Sequence, residues 1–199
     1  MKTPLSYEYE RDDYYCYPNS TVLRNKLNIS DEKILIEKER RYSTLRAAEL
    51  AAHPLDGELN SEYLRKIHRF LFGELYEWAG KNRNIDISRG NIFCMHELID
   101  VCLDQVMLEL KKENYLKGLN KDEMIKRLAY YLGEINTIHP FREGNGRAQR
   151  AFIRELATRN GYRLVFDKIQ PKEMIEASDK TFHHEYELME DLLKRSIIE

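Results

Sequence analysis

The chain has 199 residues, with 32 Lys and Arg against 34 Asp and Glu, for a formal net charge of −2 at pH 7. That length fits one domain, and 42% hydrophobic with 33% charged residues excludes wholesale disorder. The near-neutral charge argues against a protein built to coat nucleic acid, and no apolar run is long enough for a membrane span.

The N-terminus, Met1 to Glu8, has no apolar stretch of the kind a signal peptide needs. Cys16, Cys94 and Cys102 are odd in number and form no CxxC, which points to a reducing, cytoplasmic setting; delivery as a secreted effector stays open. Only 9 Gly and 5 Pro among many Leu, Glu, Lys and Arg predict a mainly helical chain.

Residues 1–29 read as an aromatic arm, ordered only where its tyrosines pack on the domain formed by residues 30–199. Ser30 is a candidate cap for a first helix that runs to about Ala52, where His53-Pro54 stops it. A second helix fits 61–77, with Leu64, Ile67, Leu71, Leu75 and Trp78 at helical offsets. Alternation then begins at Asn84-Ile85-Asp86-Ile87, turns at Ser88-Arg89-Gly90-Asn91 and returns at Ile92-Phe93-Cys94, the one hairpin signal in the chain. Further helices are predicted at 97–115, 121–138, 146–160, 171–178 and 181–197. The fold class is all-α: a single-domain helical bundle carrying one β-hairpin.

The chemistry concentrates in His139-Pro140-Phe141-Arg142-Glu143-Gly144-Asn145-Gly146-Arg147-Ala148-Gln149-Arg150, between the two clearest helices. Pro140 ends one helix, and two glycines permit a tight turn. The next helix starts near Asn145, so its free N–H groups and positive dipole end make an anion site. Arg147 and Arg150 stand one turn apart on nearly the same face, as polyphosphate binding needs. Glu143 would repel phosphate unless it holds Mg²⁺, which takes only one or two protein carboxylates. His139 is the one group in the segment that exchanges a proton near neutral pH. Phe141 can turn its ring into the core. Together these residues point to phosphoryl or nucleotidyl transfer.

The segment HPFREGNGRAQR resembles the signature HxFx(D/E)GNGRxxR of the Fic (filamentation induced by cAMP) family at every fixed position. Leu71 to Lys81 is similar to the family's helix before its hairpin, the "flap", so the bundle is expected to be of the Fic type. The resemblance implies adenylyl transfer from Mg-ATP to a Ser, Thr or Tyr hydroxyl of a target protein. His139 would be the catalytic base and Glu143 the Mg²⁺ ligand. The nucleotide would be bound by Phe141, Arg142, Gly144, Asn145, Gly146, Arg147 and Arg150, the two last at the terminal phosphates. Asn84, Ile85, Asp86, Ile87, Ser88, Arg89, Gly90, Asn91 and Ile92 would dock an extended target segment by edge pairing.

Many relatives restrain themselves with an inhibitory helix, (S/T)xxxE(G/N), whose Glu pairs with the motif's second Arg, here Arg150. Ser6–Glu10 and Thr181–Glu185 have the spacing but lack the final Gly or Asn. The resemblance to toxin members therefore implies a separate small antitoxin whose Glu pairs with Arg150, and by analogy a type II topoisomerase subunit as target. Neither membrane nor direct nucleic-acid binding is expected. His68 reads as surface or satisfied core, His96 as a residue able to orient the flap, and adjacent His183-His184 as no chelating pair. Two readings stay open beside adenylylation. One is another phosphate-containing-group transfer, kinase or phosphocholine-type, on the same scaffold; the other is a non-catalytic binding module.

Overall fold

A computed structural model describes residues 12–198. Ser6 and Glu10, and the start of the arm, lie outside them. Seven helices follow in order: α1 Glu32–Ala52, α2 Ser61–Phe72, α3 Ile99–Lys112, α4 Lys121–Ile138, α5 Asn145–Thr158, α6 Pro171–Thr181 and α7 Glu187–Ser196. Two minimal ladders accompany them: β1 Ser88–Arg89 with β2 Asn91–Ile92, and β3 Arg163–Leu164 with β4 Ile197–Ile198. The all-α class with one hairpin beside the bundle stands. No helix of the described residues is long and apolar enough to cross a membrane.

The centre of the bundle is the pair α4 and α5, flanked by α2, α3 and α7. Met124, Leu128, Ala129, Tyr131 and Ile135 on α4 meet Ala148, Phe152, Ile153 and Leu156 on α5, all fully buried. Truncating a side chain such as Phe152 there would cost about 3–5 kcal/mol. This burial clamps both ends of the segment that joins the two helices, so the loop 139–144 is held at its base by the best-packed part of the molecule.

Local chemistry explains the boundaries. Asp31, not Ser30, caps α1 by accepting the Ile34 N–H. Asn120 and Glu123 close a reciprocal capping box on α4. The second helix stops at Phe72 rather than at 77; near-helical turns follow and still bury Leu75, Tyr76 and Trp78, which is why the apolar period continues. The 97–115 helix is divided, because Asn114, Tyr115 and Leu116 all take positive φ. The last helix begins at Glu187 after a turn at 182–186, and β3–β4 pairs too few residues to leave a period in the sequence. The described part of the arm packs on the bundle. Tyr15 meets the Trp78 ring edge-on at 5.6 Å, and the Lys26 N–H donates to the Leu75 carbonyl at 2.8 Å.

Candidate active site

Helix α4 ends on His139, which adopts the left-handed conformation (φ 50, ψ 61). A non-glycine residue there is uncommon and held by its surroundings. Its N–H donates to the Ile135 carbonyl at 3.0 Å, and its own carbonyl accepts from Arg83 Nε at 2.9 Å. Its ring stacks on Phe93 at 3.8 Å between centroids. Nδ1 lies 3.1 Å from the Asn136 carbonyl, so it carries the proton and Nε2 carries the lone pair. Burial pushes the imidazole down to about 3, with the cations Arg83 and Arg89 adding to the effect. The imidazole of His139 is therefore neutral, and negative charge placed beside it would raise its basicity.

The loop that follows is latched on itself. The Phe141 N–H donates to Asn145 Oδ1 at 2.8 Å, and Asn145 Nδ2 returns a bond to the Phe141 carbonyl at 2.6 Å. The Phe141 ring is fully buried and stacked on His68 at 3.9 Å. The expectation that Phe141 contacts nucleotide is thus corrected: its ring and its N–H are both spent on shaping the loop. Asn145 likewise shapes the loop with its side chain. Gly144 has φ 82, and a Cβ there would come within 2.5 Å of the Phe72 ring. No side chain caps α5, so the N–H groups of its first turn face the loop as an anion nest.

His68 is satisfied core, and it also supports the loop. The Gly80 N–H donates to its Nδ1 at 2.9 Å, so its Nε2–H donates to the Glu143 carbonyl at 2.9 Å. Burial pushes this imidazole down to about 3 as well.

The four charged residues of the segment go different ways. Arg142 turns its guanidinium away from the loop to Asp12 (2.7 Å), both side chains buried, and can meet a nucleotide only through its backbone. Arg147 lies over the Phe72 ring, donates to Ser43 Oγ at 2.9 Å and pairs with Glu39 of α1. Its distance to Glu143 Oε1 is 3.7 Å. Arg150 pairs with no carboxylate of the described residues; burial and its neighbours Arg147 and Arg154 push it down to about 10. Its Nη1 stands 3.0 Å from where a Cβ on Gly146 would lie, over the first turn of α5. Glu143 accepts the Gly144 N–H at 2.8 Å and is raised above the usual carboxylate range by burial and by Glu39.

Glu143 fits a Mg²⁺ ligand. Its side chain is 32% exposed, one oxygen is held by Gly144, and the carboxylate is oriented on the same loop as the anion nest. Among the described residues no group of three His, Cys, Asp or Glu could hold a metal. A cation at Glu143 would draw its other ligands from phosphate oxygens and water, as Mg²⁺ does.

The hairpin is shorter and set later than its alternation predicts. Ser88 pairs with Ile92 and Arg89 with Asn91, with Gly90 at the apex (φ 76). Asn84 to Ile87 form no strand. The Asn84 N–H donates to Tyr15 Oη, and Asp86 accepts from the His96 backbone at 2.7 Å. Ile87 is 2% exposed, so its side chain anchors the flap in the core and only its backbone could take part in edge pairing. Ile92 is exposed, and Asn91 Nδ2 reaches Asp179 at 2.7 Å. His96 contacts Asp86 through its ring as well, consistent with a role in orienting the flap. Glu185 is exposed and pairs with Lys180. Sequence reasoning missed Arg83, Glu39 and Ser43, whose partners lie far off in the chain.

Comparison with known proteins agrees with this geometry. The Fic/DOC family profile matches residues 58–157. The protein adenylyltransferase VbhT of Bartonella schoenbuchensis is 38% identical over 189 residues, 94% of this chain but 40% of that protein. Fic of Escherichia coli, named a probable protein adenylyltransferase, is 40% identical over 162 residues, covering 81% of this chain and 80% of its own length. Among solved structures, BepC of Bartonella tribocorum with bound AMPPNP superposes with a TM-score of 0.86 at 28% identity, covering 92% of this chain and 96% of that one. A Fic domain from Bartonella quintana with bound ADP gives 0.88 at 29% identity, covering 94% and 95%. The chain belongs to the Fic/DOC family, and the relatives it matches at 38% and 40% identity are named protein adenylyltransferases.

Proposed function

We propose that this chain transfers AMP from Mg-ATP to a Ser, Thr or Tyr hydroxyl of a target protein, with His139 as general base. One observation carries the reading: a neutral imidazole with its lone pair on Nε2 closes the helix before an uncapped helix N-terminus, over which Arg150 stands with no carboxylate partner among the described residues. Such a nest seeks a polyphosphate, and such a histidine seeks a proton. The AMPPNP and ADP bound by the two structural relatives support the nucleotide part.

His139 takes the proton of the target hydroxyl as its oxygen attacks the α-phosphorus, and pyrophosphate leaves. The first-turn amides of α5 hold the α- and β-phosphates. Arg150 reaches the terminal phosphate, while Arg147, fixed by Glu39 and Ser43, lines the cleft as an oriented cation. Glu143 would hold Mg²⁺, which neutralises phosphate charge when bound. The flap edge at 88–92 would take an extended target segment. A separate antitoxin would act by placing a carboxylate on Arg150, which has no carboxylate partner among the described residues. The target class, a type II topoisomerase subunit, is an analogy with toxin members of the family.

Incubation of the purified chain and target extract with ATP labelled at the α- or γ-phosphate tests the reading. Protein-bound label from α-ATP alone is expected. Label from γ-ATP would favour kinase chemistry, and no label a binding module.

A further inference from the structure

Arg83 is the largest charged side chain sealed in the core, with its side chain 0% exposed. The carboxylate of Asp86, half exposed, lies 3.6 Å away. The guanidinium bonds backbone carbonyls. Nη1 donates to Ile85 at 2.7 Å and Nη2 donates to Cys94, so it holds both legs of the flap. Nε donates to His139 at 2.9 Å and Nη2 to Ile138 at 3.3 Å, so it also holds the last residues of α4. The Arg83 N–H reaches the Pro140 carbonyl at 2.8 Å. Two further contacts join the same parts: the Cys94 N–H donates to Thr137 at 3.1 Å, and Phe93 stacks on the His139 ring.

A planar fork with five donors can join three separate backbone segments; a lysine ammonium, a point charge on a flexible stem, cannot. The carbonyl that Arg83 holds belongs to a residue in the left-handed region, whose orientation aims the imidazole. We propose that Arg83 is a positioning residue that makes the flap and His139 one rigid unit, so that a target strand seated on the flap presents its hydroxyl to Nε2 in register. This rests on the adenylyl-transfer reading.

The test compares Arg83→Lys and Arg83→Ala with the parent chain. Arg83→Lys keeps charge and most of the volume. It should lower kcat about 100-fold, the scale of a misplacement near 1 Å, while the Kd for Mg-ATP stays within about threefold. Methylguanidine should restore part of the activity of Arg83→Ala and none of His139→Ala. A merely structural arginine would give neither the kcat-against-Kd split nor the rescue. Hydrogen exchange supplies a readout that needs no activity. Residues 85–94 and 137–141 should lose protection together in Arg83→Lys. Full kcat in Arg83→Lys, parallel loss of ATP binding, or exposure of one segment without the other would each overturn the proposal. If the parent transfers no AMP, the functional reading fails, and the exchange experiment still decides whether Arg83 couples the two segments.

Discussion

Between His139 and Arg147, backbone and side chains are bonded back into the fold at almost every residue: Pro140 to Arg83, Phe141 to Asn145, Arg142 to Asp12, Glu143 to His68, Arg147 to Glu39. The hairpin 88–92, which leads into Phe93 and its stack on His139, has two ladder pairs and a one-residue apex. The difference matches the two proposed tasks. A site that moves a proton and an adenylyl group gains from groups fixed in advance. A strand that accepts another chain needs unpaired edge groups, and full pairing would abolish them.

The comparison is broken most directly at His139. His139→Ala should lower AMP transfer about 10²–10⁴-fold, the usual worth of a general base, with nucleotide binding retained. Steady-state rates beside a nucleotide titration check this, and parallel loss of both would make His139 a structural residue. Gly144→Ala comes next. The new Cβ meets the Phe72 ring and strains a left-handed backbone, a cost of about 2–5 kcal/mol that urea unfolding would register. The same substitution at Gly90 meets nothing within 4 Å and should cost about 1–2 kcal/mol, from backbone strain alone.

Acid sharpens the contrast further. His68 and His139 are both pushed down to about 3, against an ordinary value of 6.5. Between those values the unfolded chain binds more protons than the folded one. Stability is therefore full above pH 6.5 and falls as pH is lowered towards 3, by about 1.4 kcal/mol per pH unit for each imidazole. Urea midpoints at pH 7 and pH 5.5 measure it, and His68→Gln should remove about half of the slope.

Arg150→Met tests the anion side of the loop. Losing a charge-assisted contact to phosphate is worth about 1.5–3 kcal/mol, a Kd for ATP about 10–150-fold weaker. The fold should not be destabilised, because a half-buried cation with no carboxylate partner among the described residues is replaced by an apolar chain. A lower Tm without weaker binding would place the phosphate elsewhere. The smallest effect on stability belongs to the flap tip. Ile92→Ser, at a residue 77% exposed, should change stability by less than about 0.5 kcal/mol and yet raise the KM for the target. Unchanged target kinetics would remove Ile92 from the docking edge.

Much of the loop was legible from twelve consecutive residues because its logic is local. The Pro stop, the glycine turn, the open helix N-terminus and the one-turn offset of Arg147 and Arg150 depend on neighbours within four positions. The helices were legible for the same reason, since an apolar stripe repeats every turn; their ends drifted where turns near Leu75 and Trp78 keep helical spacing without being helix. The hairpin's register was not, because alternation at Asn84–Ile87 cannot tell an edge strand from a buried anchor, and only packing buries Ile87.

By itself, then, the sequence determined a helical chain, the place of its reactive turn and the residue types gathered there. Tertiary structure alone decided which partner each charge meets. Arg142 turns to Asp12, Arg147 to Glu39 and Ser43, and Arg83 to the carbonyls of His139, Ile85 and Cys94. The same packing chose the tautomers of His68 and His139 and turned Phe141 inward. The physical reason is range. Backbone geometry links residues a turn apart, whereas a guanidinium is satisfied by whatever acceptor the folded core brings to it, and its distance along the chain carries no energy that a local pattern could display.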